Sequence, residues 1–117
     1  MQVGIDIQDT EAFKKFIGTK KMNRIFSSAE LEYINNKNQS LSTVTGIFCA
    51  KEAFFKAIGK GIVLSQLTEV EVAHDALGAP HYNLSSRIIT ENSLDFAALT
   101  LSISHTKTTA VAVCIIL

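Results

Sequence analysis

The sequence predicts an α+β fold in one domain, a small and mostly antiparallel sheet packed on one long helix. Three observations predict it. Apolar residues recur at helical spacing from Val44 to Ile58, densely enough that this helix belongs mostly to the core. Two closing segments, 97–104 and 109–117, are extended in character and joined by a four-residue turn, which makes them an antiparallel pair. The chain has 117 residues, 47% apolar and 19% charged, enough for one core and one domain over 1–117.

The elements follow in order. Gln2 to Ile7 reads as a strand running into polar Gln8 and Asp9, which puts Asp6 at its end. Thr10 is placed to cap a helix through Glu11, Phe13, Phe16 and Ile17, broken at Gly18. Residues 19–26 are helical or turn-like. Ser27 and Glu30 have capping-box spacing, so a helix starts there and reaches about Asn36. After a polar loop, Ser42 or Thr43 caps the long helix, whose apolar positions Val44, Ile47, Phe48, Phe55 and Ile58 form one broad face. Gly59 and Gly61 suit its C-terminal end. Residues 68–73 alternate and read as a strand with one wet face. A turn over 74–79 leads to a strand from Pro80 to Leu84, and Ser85 or Ser86 caps a helix to about Asn92. The last strand, from Ala110, is apolar on both faces. One face meets the helices, and the other requires a second cover such as another subunit. The mean hydropathy of +0.23 points the same way.

The net charge is zero, so no global field attracts nucleic acid. The distribution is uneven. Lys14, Lys15, Lys20, Lys21 and Arg24 supply five of the eleven basic residues, and no Asp or Glu lies between Ala12 and Ala29. Such a run is either a solvated helix face or a docking patch for an acidic partner. Cys49 and Cys114 sit among apolar residues and read as small buried hydrophobes. The His and Cys spacing does not suit zinc. With no basic-then-apolar leader and no membrane-length apolar run, the expected location is the cytoplasm.

Chemistry concentrates on the long helix. Glu52 and Lys56 are four apart and share a side. As a plain surface pair they are worth only about 0.2–0.5 kcal/mol. If Asp6 and Glu52 converge, they repel unless a cation lies between them. Two carboxylates with substrate phosphates commonly hold Mg²⁺; the same pair also suits a structural salt-bridge cluster. Lys51, Lys56 and Lys60 are potential phosphate partners. The Gly59-Lys60-Gly61 turn either admits a ligand to the backbone or simply caps the helix. It is no Walker A loop, because it follows the helix instead of opening it. Ser102 and Ser104 share one strand face, opposite Leu101 and Ile103, and His105 ends the strand. His74 and His81 are expected to face solvent.

Five motifs occur in one order across essentially the whole chain. They are Gly4-Ile5-Asp6-Ile7, then Arg24-Ile25-Phe26-Ser27 with Glu30, then 48–59 with Lys51-Glu52 and Lys56, then Gly78-Ala79-Pro80, and last Ser102-Ile103-Ser104-His105. That order resembles the holo-acyl-carrier-protein synthase family of short 4′-phosphopantetheinyl transferases. The resemblance implies the fold of that family and a reaction. Coenzyme A donates 4′-phosphopantetheine to a serine of an apo acyl carrier protein, and adenosine 3′,5′-bisphosphate leaves. It implies Mg²⁺ held by Asp6 and Glu52, and catalytic roles for Glu52, Lys56 and His105. Coenzyme contacts are implied for Lys51, Lys56, Gly59, Gly61, Gly78, Pro80, Ser104 and His105. An acidic carrier protein would dock on Lys14, Lys15, Lys21, Arg24 and Phe26, with Phe13 and Met22 as further apolar contacts. A homotrimer with interfacial active sites is implied as well. Ile47 stands where the family usually has arginine, and Asp9 where it commonly has glutamate. The rival reading is a catalytically impaired coenzyme A- or carrier-binding module of the same fold.

Overall fold

The computed structural model describes all 117 residues. Strand β1 (Gln2–Asp9) leads into a 3-10 turn (Thr10–Phe16). Helices α1 (Met22–Ile25), α2 (Ser28–Asn36) and α3 (Leu41–Ala57) follow. A second 3-10 turn (Leu64–Glu69) precedes β2 (Val70–His74) and β3 (Pro80–Leu84). Helix α4 (Ser86–Glu91) and strands β4 (Leu99–His105) and β5 (Thr109–Ile116) complete the chain. Every pairing is antiparallel: one sheet runs β1-β5-β4, and β2 pairs with β3 in a second. The α+β expectation and the antiparallel sheet on a long helix therefore hold.

Helix α3 lies across the three-stranded sheet, and small residues set the spacing. Ala110, Ala112 and Cys114 of β5 and Ala50, Ala53 and Ala57 of α3 are all buried. The contact is tightest at Gly4. A Cβ there would lie 1.9 Å from the Ala53 carbonyl oxygen and 2.6 Å from the Ala57 nitrogen, both backbone atoms that no rotamer change can move. Gly4→Ala should push β1 off α3 and cost about 1–3 kcal/mol, the range for overpacking a dense core. A lower urea midpoint with unchanged slope would check it.

The sheet's other face is uncovered by this chain. Val3, Ile5 and Ile7 of β1 are 54%, 59% and 66% exposed, and cross-strand register places Val111, Val113 and Ile115 of β5 beside them. This is the face the sequence marked as needing a second cover.

Several local expectations need correction. Asp6 lies inside β1, since the strand continues to Asp9. The segment after it is 3-10, and Thr10 is buried with its hydroxyl donating to the Lys107 carbonyl at 3.0 Å. It ties the turn to the β4–β5 hairpin in place of capping. Helix α3 starts at Leu41, so Ser42 and Thr43 sit within its first turn, and no side chain caps it. His74 does not face solvent: it is half-buried, its ring stacked on Tyr33 with centroids 3.9 Å apart. The Ser27–Glu30 capping box forms as expected, with both of its reciprocal hydrogen bonds. Ser85 caps α4 by accepting from the Ile88 N–H.

Candidate functional site

The contact between β1 and α3 gathers the charged side chains. Gly4, Asp6 and Gln8 alternate onto the helix-facing side of β1. One turn of α3 separates Glu52 from Lys56 on the facing surface. Asp6 is 4% exposed, and Lys56 Nζ donates to its Oδ1 at 3.1 Å and to the Ile5 carbonyl at 3.1 Å. Gln8 Nε2 reaches both acids, at 3.2 Å from Asp6 Oδ2 and 3.2 Å from Glu52 Oε2. The two carboxylates expected from the sequence thus come together, through a residue that the sequence reading passed over. Alternation alone could have found Gln8, two positions along the same strand face as Asp6.

The electrostatics are unbalanced. Desolvation, then the bond and charge of Asp6, push the Glu52 carboxyl up to about 7, against the opposing pull of Lys56. A hard divalent cation beside both carboxylates would remove that strain. The donor set fits Mg²⁺, which is commonly held by one or two carboxylates and completes its shell with water and substrate phosphate oxygens. No cluster of three His, Cys, Asp or Glu side chains surrounds the place. Cys49 is buried nearby, its thiol pushed up to about 12 by burial and by Asp6, so it is no nucleophile.

A second cleft of about 180 Å³ opens between the start of α3, the β2–β3 turn and the end of β4. Its lining includes Tyr33, Ile47, His74, Gly78, Pro80 and His105. Ile47 is 2% exposed and forms part of the wall. No lining residue is shared with the carboxylate group, so within one chain His105, Gly78 and Pro80 form a separate cluster from Asp6, Glu52 and Lys56. Ser104 does not join His105 there. The register with β5 puts Ser104 opposite Val111, on the uncovered face of the sheet.

Lys51 corrects the sequence reading most sharply. Expected at a phosphate, it is fully buried, with Nζ 2.7 Å from Glu30 Oε1, 2.7 Å from the Leu67 carbonyl and 2.9 Å from the Val70 carbonyl. All three ammonium protons are spent inside the fold. Burial lowers the Lys51 pKa and raises that of Glu30, each opposed by the partner's charge. The signal was in the sequence: Lys51 is four residues from both Ile47 and Phe55, on the buried stripe of α3. Gly59 takes φ +79° and ends α3, with the Lys60 N–H returning to the Phe55 carbonyl, a helix cap. Gly61 is exposed and does not line that cleft.

The basic segment is on the surface. Lys14, Lys15, Lys21 and Arg24 are exposed, whereas Phe26, Phe13 and Met22 are 1%, 5% and 5% exposed and face inward. Those three cannot be docking contacts as expected. Half-buried Ile25 and the 73%-exposed Leu64 line a surface groove with Lys21 and Arg24 instead.

Comparison with known proteins gives consistent matches. The model of the 4′-phosphopantetheinyl transferase superfamily matches residues 2–114. The chain is 39% identical over 116 residues to a holo-[acyl-carrier-protein] synthase of Clostridium botulinum, covering 97% of this chain and 94% of that protein. It is 41% identical over 113 residues to one from Caldicellulosiruptor saccharolyticus, covering 94% and 90%. Its fold superposes with TM-score 0.82 on a holo-(acyl-carrier-protein) synthase from Bacillus anthracis solved in complex with CoA (3′,5′-ADP), at 32% identity, covering 98% and 94%. No helix here is long and apolar enough to cross a membrane.

Proposed function

The chain belongs to the 4′-phosphopantetheinyl transferase superfamily and is an enzyme of its holo-acyl-carrier-protein synthase branch; on that premise we propose a Mg²⁺-dependent transfer from coenzyme A to an apo acyl carrier protein. The observation that carries the magnesium reading is the convergence of Asp6 and Glu52 from two rigid elements, with Lys56 alongside. A serine hydroxyl of the carrier attacks the phosphorus that bears pantetheine. A new P–O bond forms, the bond to adenosine 3′,5′-bisphosphate breaks, and the serine gives up its proton. Asp6 and Glu52 would hold the cation, which neutralises the diphosphate and so lowers the barrier to attack. Lys56, half-exposed beside Asp6, would meet charge developing on the departing nucleotide phosphate. Its bond to Asp6 fixes the ammonium's position.

The cleft at His105, Gly78 and Pro80 is read as the nucleotide end of the coenzyme site. Its separation from Asp6 and Glu52 within one chain supports an active site shared between protomers. The uncovered apolar face of β1 and β5 supports the same reading, a homotrimer with interfacial sites. In that assembly Ser104, on the uncovered face, would lie at a subunit boundary. The nucleotide product tests the reaction: chromatography should find adenosine 3′,5′-bisphosphate in step with modified carrier, both lost on adding EDTA and restored by excess Mg²⁺. Carrier modification that continues undiminished in EDTA would refute the magnesium reading.

The exposed basic segment is read as the carrier-docking surface, with Ile25 and Leu64 as its apolar contacts. Charges at an interface rim act mainly on association rate. Reversing Lys14 and Lys15 to Glu should raise the carrier KM several-fold at low salt with kcat retained, and flatten its salt dependence. Initial rates at two ionic strengths would check this.

A further inference from the structure

The cleft read as the nucleotide end of the coenzyme site is lined by no lysine or arginine, and of its side chains only His74 and His105 can turn positive. Its wall on α3 is apolar. Ile47 is 2% exposed, and Gly46 beside it is packed so closely that a Cβ would lie 3.0 Å from Ile103 Cγ2. His74 is poorly placed to carry a charge. Its ring stacks flat on Tyr33 of α2, and its Nδ1 is buried without a hydrogen-bond partner. Burial lowers its pKa most, His81 of β3 and Lys37 at the end of α2 lower it further, and Asp75 of the β2–β3 turn opposes them. Besides Ile47, α3 brings the uncharged Ser42, Thr43 and Gly46 to the cleft, and β4 brings Ile103 and His105. Lys37 stands over the Tyr33 ring, 5.6 Å from its centroid, and is not part of the lining. Imidazoles of ordinary pKa, about 6.5, are largely neutral at pH 8.

Coenzyme A and its 3′-dephospho form differ by one phosphate on the ribose, remote from the diphosphate at which the bond breaks. Taking that anion out of water against an apolar wall is unfavourable unless a cation replaces the water. We propose that the enzyme also uses 3′-dephospho-coenzyme A as a phosphopantetheine donor, the ribose 3′ position being left to solvent at this cleft. The inference rests on the reading of the cleft as the nucleotide end. The step at phosphorus is the same for both donors. The carrier's serine oxygen bonds to the phosphorus that bears pantetheine, and the serine gives up its proton. The bond from that phosphorus to the bridging oxygen breaks, and adenosine 5′-monophosphate departs with the electron pair. Asp6, Glu52 and Lys56 would meet only the diphosphate, so their roles do not change.

The test supplies the full-length enzyme with apo acyl carrier protein, Mg²⁺ and one donor or the other at pH 8. Intact mass follows the carrier, and chromatography follows the nucleotide. Adenosine 5′-monophosphate arises only from the dephospho donor, so traces of coenzyme A cannot mimic the result. A fixed cation bonded to the 3′-phosphate would favour coenzyme A by about ten- to a hundredfold in kcat/KM. The native enzyme should prefer coenzyme A by less than about tenfold. A preference of about tenfold or more overturns the proposal, because a cation from elsewhere, such as across a subunit boundary, would then hold that phosphate. Ile47→Arg should raise the preference about tenfold or more, chiefly by lowering the KM for coenzyme A. His74→Lys carries the same expected sign should Ile47→Arg not fold. A folded variant with the native preference would show that the cleft does not meet the ribose phosphate, and the proposal would fall. Transfer from coenzyme A alone defeats only this inference. Transfer from neither donor defeats the proposed function, and this inference with it.

Discussion

Lys51→Met should cost about 3–5 kcal/mol of stability, the range for breaking a buried ion pair by removing one partner. Its KM for coenzyme A should stay unchanged in the folded fraction. Glu30 would remain fully buried, still accepting from the backbone N–H groups of Ser27 and Val72 but without its cation. The Leu67 and Val70 carbonyls would lose their donor as well. Lys51 and Glu30 fasten α3, the start of α2 and the first residues of β2 at one point, so the loss should be global and cooperative. The effect should also depend on pH. Burial already raises the Glu30 pKa, and removing Lys51 takes away the charge that opposes the rise. A carboxyl whose folded pKa is raised binds its proton more tightly when folded. Its contribution to stability is complete below the unfolded value and is lost as pH climbs through the folded one. The variant's deficit should therefore be larger at pH 8 than at pH 5. Urea titrations at both pH values check this, and a stable Lys51→Met enzyme with raised KM for coenzyme A would return Lys51 to the phosphate.

Glu52→Ala should behave in the opposite way, losing activity while keeping the fold. Loss of a carboxylate that holds a catalytic cation removes several kcal/mol of charge stabilisation. At 1.36 kcal/mol per decade that is about 10²–10⁴-fold in rate, and it should appear mainly in kcat. Stability should hold or rise, because Glu52 faces Asp6 across a shared amide and burial already disfavours its charge. Sites built for function commonly carry such strain. Rates at millimolar Mg²⁺ together with a melting curve give both readouts. Near-native activity, or a large drop in melting temperature, would contradict the assignment.

The sequence made most of the architecture legible because its signals were local. Alternation, a capping box and a two-glycine stop each act within a few residues, and the elements they predicted formed. Failures arose where a partner lay far along the chain. Glu30 looked like a capping residue, and it is one, yet its second oxygen also holds the Val72 N–H and its first holds Lys51. Nothing near position 30 announces a lysine twenty-one residues away. The resemblance implies Phe26 as a docking contact, yet it is 1% exposed: a phenylalanine beside a helix cap more often turns inward. The meeting of Asp6 with Glu52 was legible through resemblance. The amide that joins them shares the strand face of Asp6 by alternation, but its role stays hidden until the opposite helix is in place. The distance between the His105 cleft and the carboxylates belongs to tertiary placement, which no local pattern encodes.

Transfer of phosphopantetheine from coenzyme A onto an acyl carrier protein is the activity on which everything above depends. Intact-mass spectrometry of a panel of apo acyl carrier proteins, incubated with the enzyme, coenzyme A and Mg²⁺, tests it most directly. The account predicts that at least one carrier gains the mass of a single phosphopantetheine, at its acceptor serine and only with enzyme present. A folded, Mg²⁺-supplied enzyme that leaves every carrier in the panel at its apo mass would contradict it.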